Sequence, residues 1–287
     1  SADDVCDIIS YSAFEVNAQT FTGTTTLDGA VVINESSADV DFRVESNGNA
    51  NMLFVDGGNN AVGIGTGSPS RLLELSNTTN PAIRLNNGNS NVDIGVASSA
   101  GALLTGVADD NLVIARNGAF GISFGTNGSL GLNIDATGAV TMPLQPAFSV
   151  NKNNTTQSDL ATGDTAVTVI WAAERFDQNS DFDLTNNRFV APVTGKYQLQ
   201  CNIRLHQIDS AAAYNIITIK TSNLEYSFIF DPDFGQDQTY WSVTTSVLAD
   251  MDADDTASVI FVQNSGAAQT DIEGANGYTY FTGYLVA

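Results

Sequence analysis

The feature that most restricts the fold of this sequence is a short phrase that keeps returning. Asn117-Gly118-Ala119-Phe120-Gly121-Ile122 is followed ten residues on by Asn127-Gly128-Ser129-Leu130-Gly131-Leu132, and ten further by Thr137-Gly138-Ala139-Val140-Thr141-Met142. The same phrase stands earlier as Asn59-Asn60-Ala61-Val62-Gly63-Ile64 and as Asp28-Gly29-Ala30-Val31-Val32-Ile33. Each copy reads as a turn and then a strand. Gly or Asn tolerates the positive φ of a tight turn, and apolar residues at every second position fit a pleated strand. Strands this short cannot bury an apolar face alone, so they need neighbours: further repeats or other chains. The spacing is too short for a propeller or a leucine-rich solenoid. The pattern predicts a β-structured shaft in which three chains wind about a common axis.

Composition agrees. The 287 residues include 25 Asp, 28 Asn and 25 Gly but only three Lys. These abundant residues form turns rather than helix interiors, which excludes a helical bundle. The net charge of −22 argues against nucleic acid or an anionic membrane as a partner. No apolar run approaches the roughly 18 residues that span a bilayer, so no membrane insertion is expected. Residues 1–15 lack the basic start of a secretory signal. Cys6 and Cys201 make no disulfide framework and no metal site. Cys201 alternates with Tyr197, Leu199, Ile203 and Leu205, which makes it an inert core thiol.

The chain divides near residue 146. The front half holds 18 of the 25 Gly and 7 of the 25 aromatic residues; the back half holds the reverse shares. Met142-Pro143-Leu144-Gln145-Pro146 is a stiff extended connector between them. Eight strand-like runs follow: Val167–Trp171, Phe189–Ala191, Lys196–Leu205, Tyr214–Thr221, Tyr226–Phe230, Tyr240–Leu248, Ala257–Val262 and Tyr278–Val286. Clusters of Asp, Asn, Gly and Pro separate them at the spacing of one β-sandwich.

Two resemblances follow. Asp39-Val40-Asp41-Phe42-Arg43-Val44-Glu45-Ser46, Asn51-Met52-Leu53-Phe54-Val55-Asp56-Gly57, and Val62-Gly63-Ile64-Gly65-Thr66 with Pro69 resemble the stalk repeat of bacteriophage tail fibres and related virion fibres. In the back half, Pro146-Ala147-Phe148-Ser149-Val150, the stretch from Phe182 through Phe189 and Ala191-Pro192 to Gly195-Lys196-Tyr197, and Tyr280-Phe281-Thr282-Gly283-Tyr284-Leu285 resemble the complement-type globular head of the tumour-necrosis-factor-like jelly rolls. The second resemblance implies a compact trimer, and the shaft independently wants three chains. The expected fold is therefore all-β: an N-terminal virion-anchoring segment (1–27), an elongated β-repeat shaft as an intertwined trimer (28–146), and a C-terminal jelly-roll head (147–287).

Motifs that suggest chemistry weigh less than their structural readings. Gly121-Ile122-Ser123-Phe124-Gly125 fits a nucleophile elbow, but no helix follows and the only base, His206, is distant. Gly63-Ile64-Gly65-Thr66-Gly67 fits a dinucleotide loop, but Pro69 leaves no room for the helix that such a loop needs. Asp250, Asp252 and Asp254 begin like a calcium loop, yet Asp255 and Phe261 stand where Gly and Glu belong, so an acidic turn is favoured. Some complement-type heads bind calcium near the trimer axis. The resemblance therefore admits calcium, with Asp252 and Asp254 as weak candidates, and no other cofactor is expected. Trp171 and Trp241 read as core residues, and His206 stands alone after a strand end.

The function expected is a non-enzymatic structural protein of a bacteriophage virion, exposed on tail or capsid. It is a homotrimeric fibre whose head binds host-surface glycan or protein. A capsid-attached decoration fibre is the alternative, and a polysaccharide depolymerase is a weaker third. Receptor contact falls to Phe234, Asp233, Asp177 and Asp181 in acidic or aromatic loops. Val5, Ile8, Ile9, Tyr11 and Phe14 would dock on capsid or tail proteins. Tyr278, Tyr280 and Tyr284, alternating on the last strand opposite Phe281, Gly283 and Leu285, suit a threefold interface.

Overall fold

The computed structural model describes residues 22–26, 28–33, 38–98, 103–116 and 118–287; among them there are strands and no helix. The anchor candidates Val5, Ile8, Ile9, Tyr11 and Phe14 lie outside the described residues. The chain separates into two compact units at residue 117/118.

The first unit holds two small sheets. Strands β1 (Phe42–Val44), β2 (Leu53–Asp56), β3 (Ala61–Ile64) and β4 (Leu73–Leu75) form one, with β3 and β4 parallel. Strands β5 (Ala82–Asn86), β6 (Asn91–Val96) and β7 (Leu112–Arg116) form an antiparallel meander. Register decides what each face carries. In the first sheet Phe42, Val55, Val62 and Leu73 are cross-strand partners, and Val44, Leu53, Ile64 and Leu75 share their face. None of these eight is buried; the buried positions Asp56, Ala61 and Gly63 face the other way. The second sheet repeats this arrangement. Asp93, Val113 and Ala115 are buried on one face, where Leu103 and Val107 pack and Arg84 holds Asp93 at 2.7 Å. The opposite face carries Ile83, Leu85, Ile94, Val96, Leu112 and Ile114, each 39–73% exposed. Ala30 to Ile33, expected as a strand, pairs with no strand among the described residues, and its apolar side chains are open to solvent.

The second unit begins with a meander of β8 (Ile122–Thr126), β9 (Ser129–Ile134) and β10 (Val140–Thr141). Asn127 and Gly128, at φ 49° and 74°, make the two-residue turn between β8 and β9 that the repeat predicts. The period of ten is thus one hairpin arm plus its turn. Of the thirteen non-glycine residues at positive φ among the described residues, ten are Asn or Asp. That is what the Asn- and Asp-rich composition serves.

A two-sheet sandwich follows. One sheet runs β13 (Ala173–Gln178), β11 (Ala147–Asn151), β22 (Tyr280–Leu285), β16 (Gly195–Ile208), β19 (Gln238–Met251), with β21 (Asp271–Ile272) beside β16. The other runs β14 (Phe182–Asp183), β15 (Arg188–Val190), β20 (Thr256–Asn264), β17 (Tyr214–Thr221), β18 (Glu225–Phe230), with β12 (Val167–Thr168) beside β20. Every pairing is antiparallel, and the chain crosses from sheet to sheet as a jelly roll does.

The core lies between the sheets. Tyr197, Leu199, Cys201, Ile203 and Leu205 point inward from β16 and are fully buried. Phe148 centres an aromatic cluster, 4.7 Å from Phe189, 5.0 Å from Phe281 and 5.1 Å from Phe182. Gly283 is fixed by this cluster: a Cβ there would stand 2.7 Å from both Phe148 and Leu199. The Tyr197 hydroxyl donates to the Val193 carbonyl at 2.7 Å, tying the turn after Pro192 to the long strand. Trp171 is buried as expected, but Trp241 is 45% exposed because β19 is an edge strand.

Candidate functional site

Alternation on the five strands β13, β11, β22, β16 and β19 sends one set of side chains into the core and the other onto an outer face. The register arranges that outer face in rows. Gln178, Ala147, Tyr284, Gln198 and Leu248 form the first; Phe176, Ser149, Thr282, Gln200 and Ser246 the second; Ala173, Asn151, Tyr280, Asn202 and Thr244 the third. Arg204 with Ser242, then His206 with Tyr240, continue it beyond Tyr280. Residue 147 is where the chain enters the sandwich, so the last two rows lie at the far end from that entry.

The charge on this face is sparse. Apart from the bulged edge strand β13, where Glu174 and Arg175 are exposed, its strands present one carboxylate among the described residues, Asp250, which Lys196 holds at 2.5 Å. The first three rows are neutral, and Phe176, Leu248 and Tyr284 are each more than half exposed. In a chain with 32 acidic residues, that is a marked clearing of charge.

At the far end a run of side chains stacks. His206 lies against Tyr240, with ring centroids 4.9 Å apart, and the Arg204 guanidinium sits 3.9 Å from the Tyr240 centroid and 4.1 Å from that of Tyr278. His206 is therefore not alone: it belongs to β16, and its Nδ1 is 3.4 Å from Asp271 Oδ2. Asn202 orients the neighbouring backbone, donating to the Tyr278 carbonyl and accepting from Thr244 Oγ1 at 2.6 Å. Arg204, Tyr240, Trp241, Ser242 and Tyr278 line a cleft of about 370 Å³.

The residues expected to carry function are distributed as follows. Tyr280 and Tyr284 share the outer face, whereas Tyr278 sits in the turn before β22 and over Arg204. Phe234 stacks on Trp241 at 4.9 Å, in the loop that also holds exposed Asp233, at the same end as the cleft. Asp177 and Asp181 lie at the opposite, entry end. Asp177 accepts from the backbone N–H groups of Asp181 and Phe182, and burial together with the nearby Asp177 charge raises the Asp181 carboxyl above its usual range. Asp252 and Asp254 are exposed at that entry end too, in the turn after β19; the Asp252 N–H donates to Asp255. Among the described residues no three His, Cys, Asp or Glu side chains come together as a metal site would need. Ser123 Oγ donates to Asn133 across the hairpin at 2.9 Å, and Gly63 and Gly65 lie in and just after β3 with no helix following.

Arg204 and Tyr240 are not among the residues expected to carry function. The signal for Arg204 is parity: Tyr197 to Leu205 mark the inward positions, so Arg204 and His206 must point out.

Among known proteins, no family model and no curated sequence matches the chain. Among solved structures, the globular domain of zebrafish complement 1qA is similar at 16% identity and a TM-score of 0.36, over 50% of this chain and 98% of that one. Murine APRIL is similar at 12% identity and a TM-score of 0.36, over 50% of this chain and 99% of that one.

Proposed function

We propose that the chain is the subunit of a homotrimeric, non-enzymatic fibre on the exterior of a bacteriophage virion, its front half forming a shaft and its jelly roll a head that contacts the host surface. One observation supports the trimer: both sheets of the first unit have an aliphatic face that the described residues of that unit leave uncovered. The meander β5–β7 alone presents six such side chains. Covering them is worth roughly 7 kcal/mol per chain, taking about half of a full burial for each. A second copy covers them without burying a carboxylate, because no acidic residue projects from the exposed aliphatic faces. The nearly neutral outer face of the head favours the same occupant, since a partner with many carboxylates of its own meets few there. The fibre assignment itself rests on the stalk and head resemblances of the sequence.

The test has two parts. Sedimentation equilibrium of the purified protein is expected to give three times the 30.2 kDa chain. Purified protein is expected to compete with virions for adsorption to host cells, and an antibody to the head is expected to decorate particles. A single-copy mass, or particles free of label, overturns the reading.

A further inference from the structure

We infer that the cleft at the far end of the head binds a carboxylate-bearing saccharide, with Arg204 taking the carboxylate. This deepens the receptor-binding part of the reading above and rests on it for its biological meaning, although the site can be tested without it.

Three observations converge. First, the Arg204 guanidinium makes no ion pair and no hydrogen bond among the described residues, in a chain whose acidic residues outnumber its basic ones 32 to 10. Its contacts with Tyr240 and Tyr278 use none of its N–H donors as hydrogen bonds, and the donor fork of a free guanidinium matches a carboxylate. The two rings also hold the side chain in place before any ligand arrives, which lowers the ordering cost of binding. Second, a further cation reaches the turn that carries Tyr278. Arg175 is exposed and likewise has no ion pair or hydrogen bond among the described residues. Its Nη2 reaches within 3.8 Å of where a Cβ on Gly277 would be, next to Tyr278. Third, the cleft is free of carboxylates; the adjacent Asp271 is already engaged by His206.

The polar groups left over are those a sugar needs. The hydroxyls of Tyr240, Tyr278 and Ser242 make no hydrogen bond among the described residues, and all three residues are exposed around the guanidinium. A cleft of about 370 Å³ takes one or two sugar rings, more than an inorganic anion requires. A neutral sugar would use the hydroxyls and leave Arg204 unpaired, so the acidic sugar is the better match.

The test titrates the purified full-length protein calorimetrically with a hexasaccharide of alternating glucuronic acid and N-acetylglucosamine, and with the same sugar after reduction of its carboxyls to alcohols. A parallel arm compares sialyllactose with lactose. At least tenfold tighter binding of an acidic form than of its neutral counterpart is expected. Arg204→Gln should remove that preference, while Arg43→Gln in the first unit should not. The wild-type comparison does not depend on a variant folding. Equal binding of both forms, or binding of neither acidic sugar, overturns the site. So does an Arg204→Gln protein that keeps the preference, or one that loses copies from the assembly, because Arg204 would then serve a neighbouring chain. A trimer that adsorbs to cells but ignores both acidic sugars overturns the site and spares the fibre. Single copies that prefer an acidic sugar do the reverse.

Discussion

Replacing Ile94 by aspartate separates a chain that stands alone from one that is covered by copies of itself. Ile94 lies on the central strand β6, between Ile83 and Ile114, and remains 39% exposed. In an isolated chain the substitution removes a half-covered methyl-rich side chain and places the charge in water, a cost of about 1 kcal/mol. In an assembly that covers this face, each copy loses the remaining burial, about 1 kcal/mol, and must also desolvate a carboxylate with no cation opposite, several kcal/mol more. Three copies raise the total to the order of 10 kcal/mol per trimer, which no set of exposed charges offsets. The variant should therefore sediment as single chains at pH 7 with its head still folded. It should recover the trimer as pH falls through the carboxylate range, where protonation removes the charge. A trimer unchanged in mass and melting temperature at pH 7 refutes the reasoning, since the face would then be solvent-facing.

Further consequences concern the head. Gly283→Ala drives a methyl group against Phe148 and Leu199 in the packed core, so thermal unfolding should fall by a few degrees, about 1–3 kcal/mol; an unchanged transition refutes the close packing there. Burial pushes the Cys201 thiol up to about 12, so in a Cys6→Ser background it should resist alkylation at pH 8 until denaturant is added; fast labelling of the folded protein refutes this. Lys152 is buried and its ammonium is pushed down to about 8 by desolvation, from a usual 10.5. The unfolded chain therefore holds a proton between these values that the folded chain has lost, and stability rises with pH across that window. Relative to Lys152→Met, the wild type should gain about 3 kcal/mol between pH 8 and 10.5 in urea titrations. A pH-independent difference would show that the ammonium is solvated.

The inward half of the head was legible because burial writes itself as alternation. Tyr214–Thr221 forms over the span expected, and the long run from Lys196 extends to Gly195–Ile208 with Cys201 inside, as its apolar neighbours required. Strand β13 was missed. Its residues Ala173–Gln178 carry one large apolar side chain, Phe176, and an edge strand with a bulge against β11 shows no period. Val167–Trp171 is a strand only over Val167–Thr168, although the Val169 N–H still donates to the Val259 carbonyl at 2.9 Å and both Val169 and Trp171 are buried. In the front half the turn residues were legible, Asn127-Gly128 above all. What local sequence could not show is pairing order, including the parallel approach of β4 to β3.

The site was harder to read for a physical reason. An outward residue acquires meaning only from the strand beside it, and the strands that assemble the cleft are far apart in sequence. Arg204 meets Tyr240 across the β16–β19 ladder and Tyr278 through the turn into β22. In the sequence the three are an arginine at a polar position of an alternating run and two unrelated tyrosines. Trp241 and Phe234 show the same effect from the other side. Trp241 alternates with Val243 and Val247 and so reads as core, yet an edge strand at the open end leaves it stacked on Phe234 near the surface. Charge is what unites these positions. Many acidic residues sit in turns, where Asp adopts positive φ at little cost, and the exposed aliphatic faces of the first unit carry no carboxylate. A chain with a net charge of −22 can then bring copies of itself together over those faces, and a cation such as Arg204, which no described carboxylate neutralises, is left to recognise an acidic ligand.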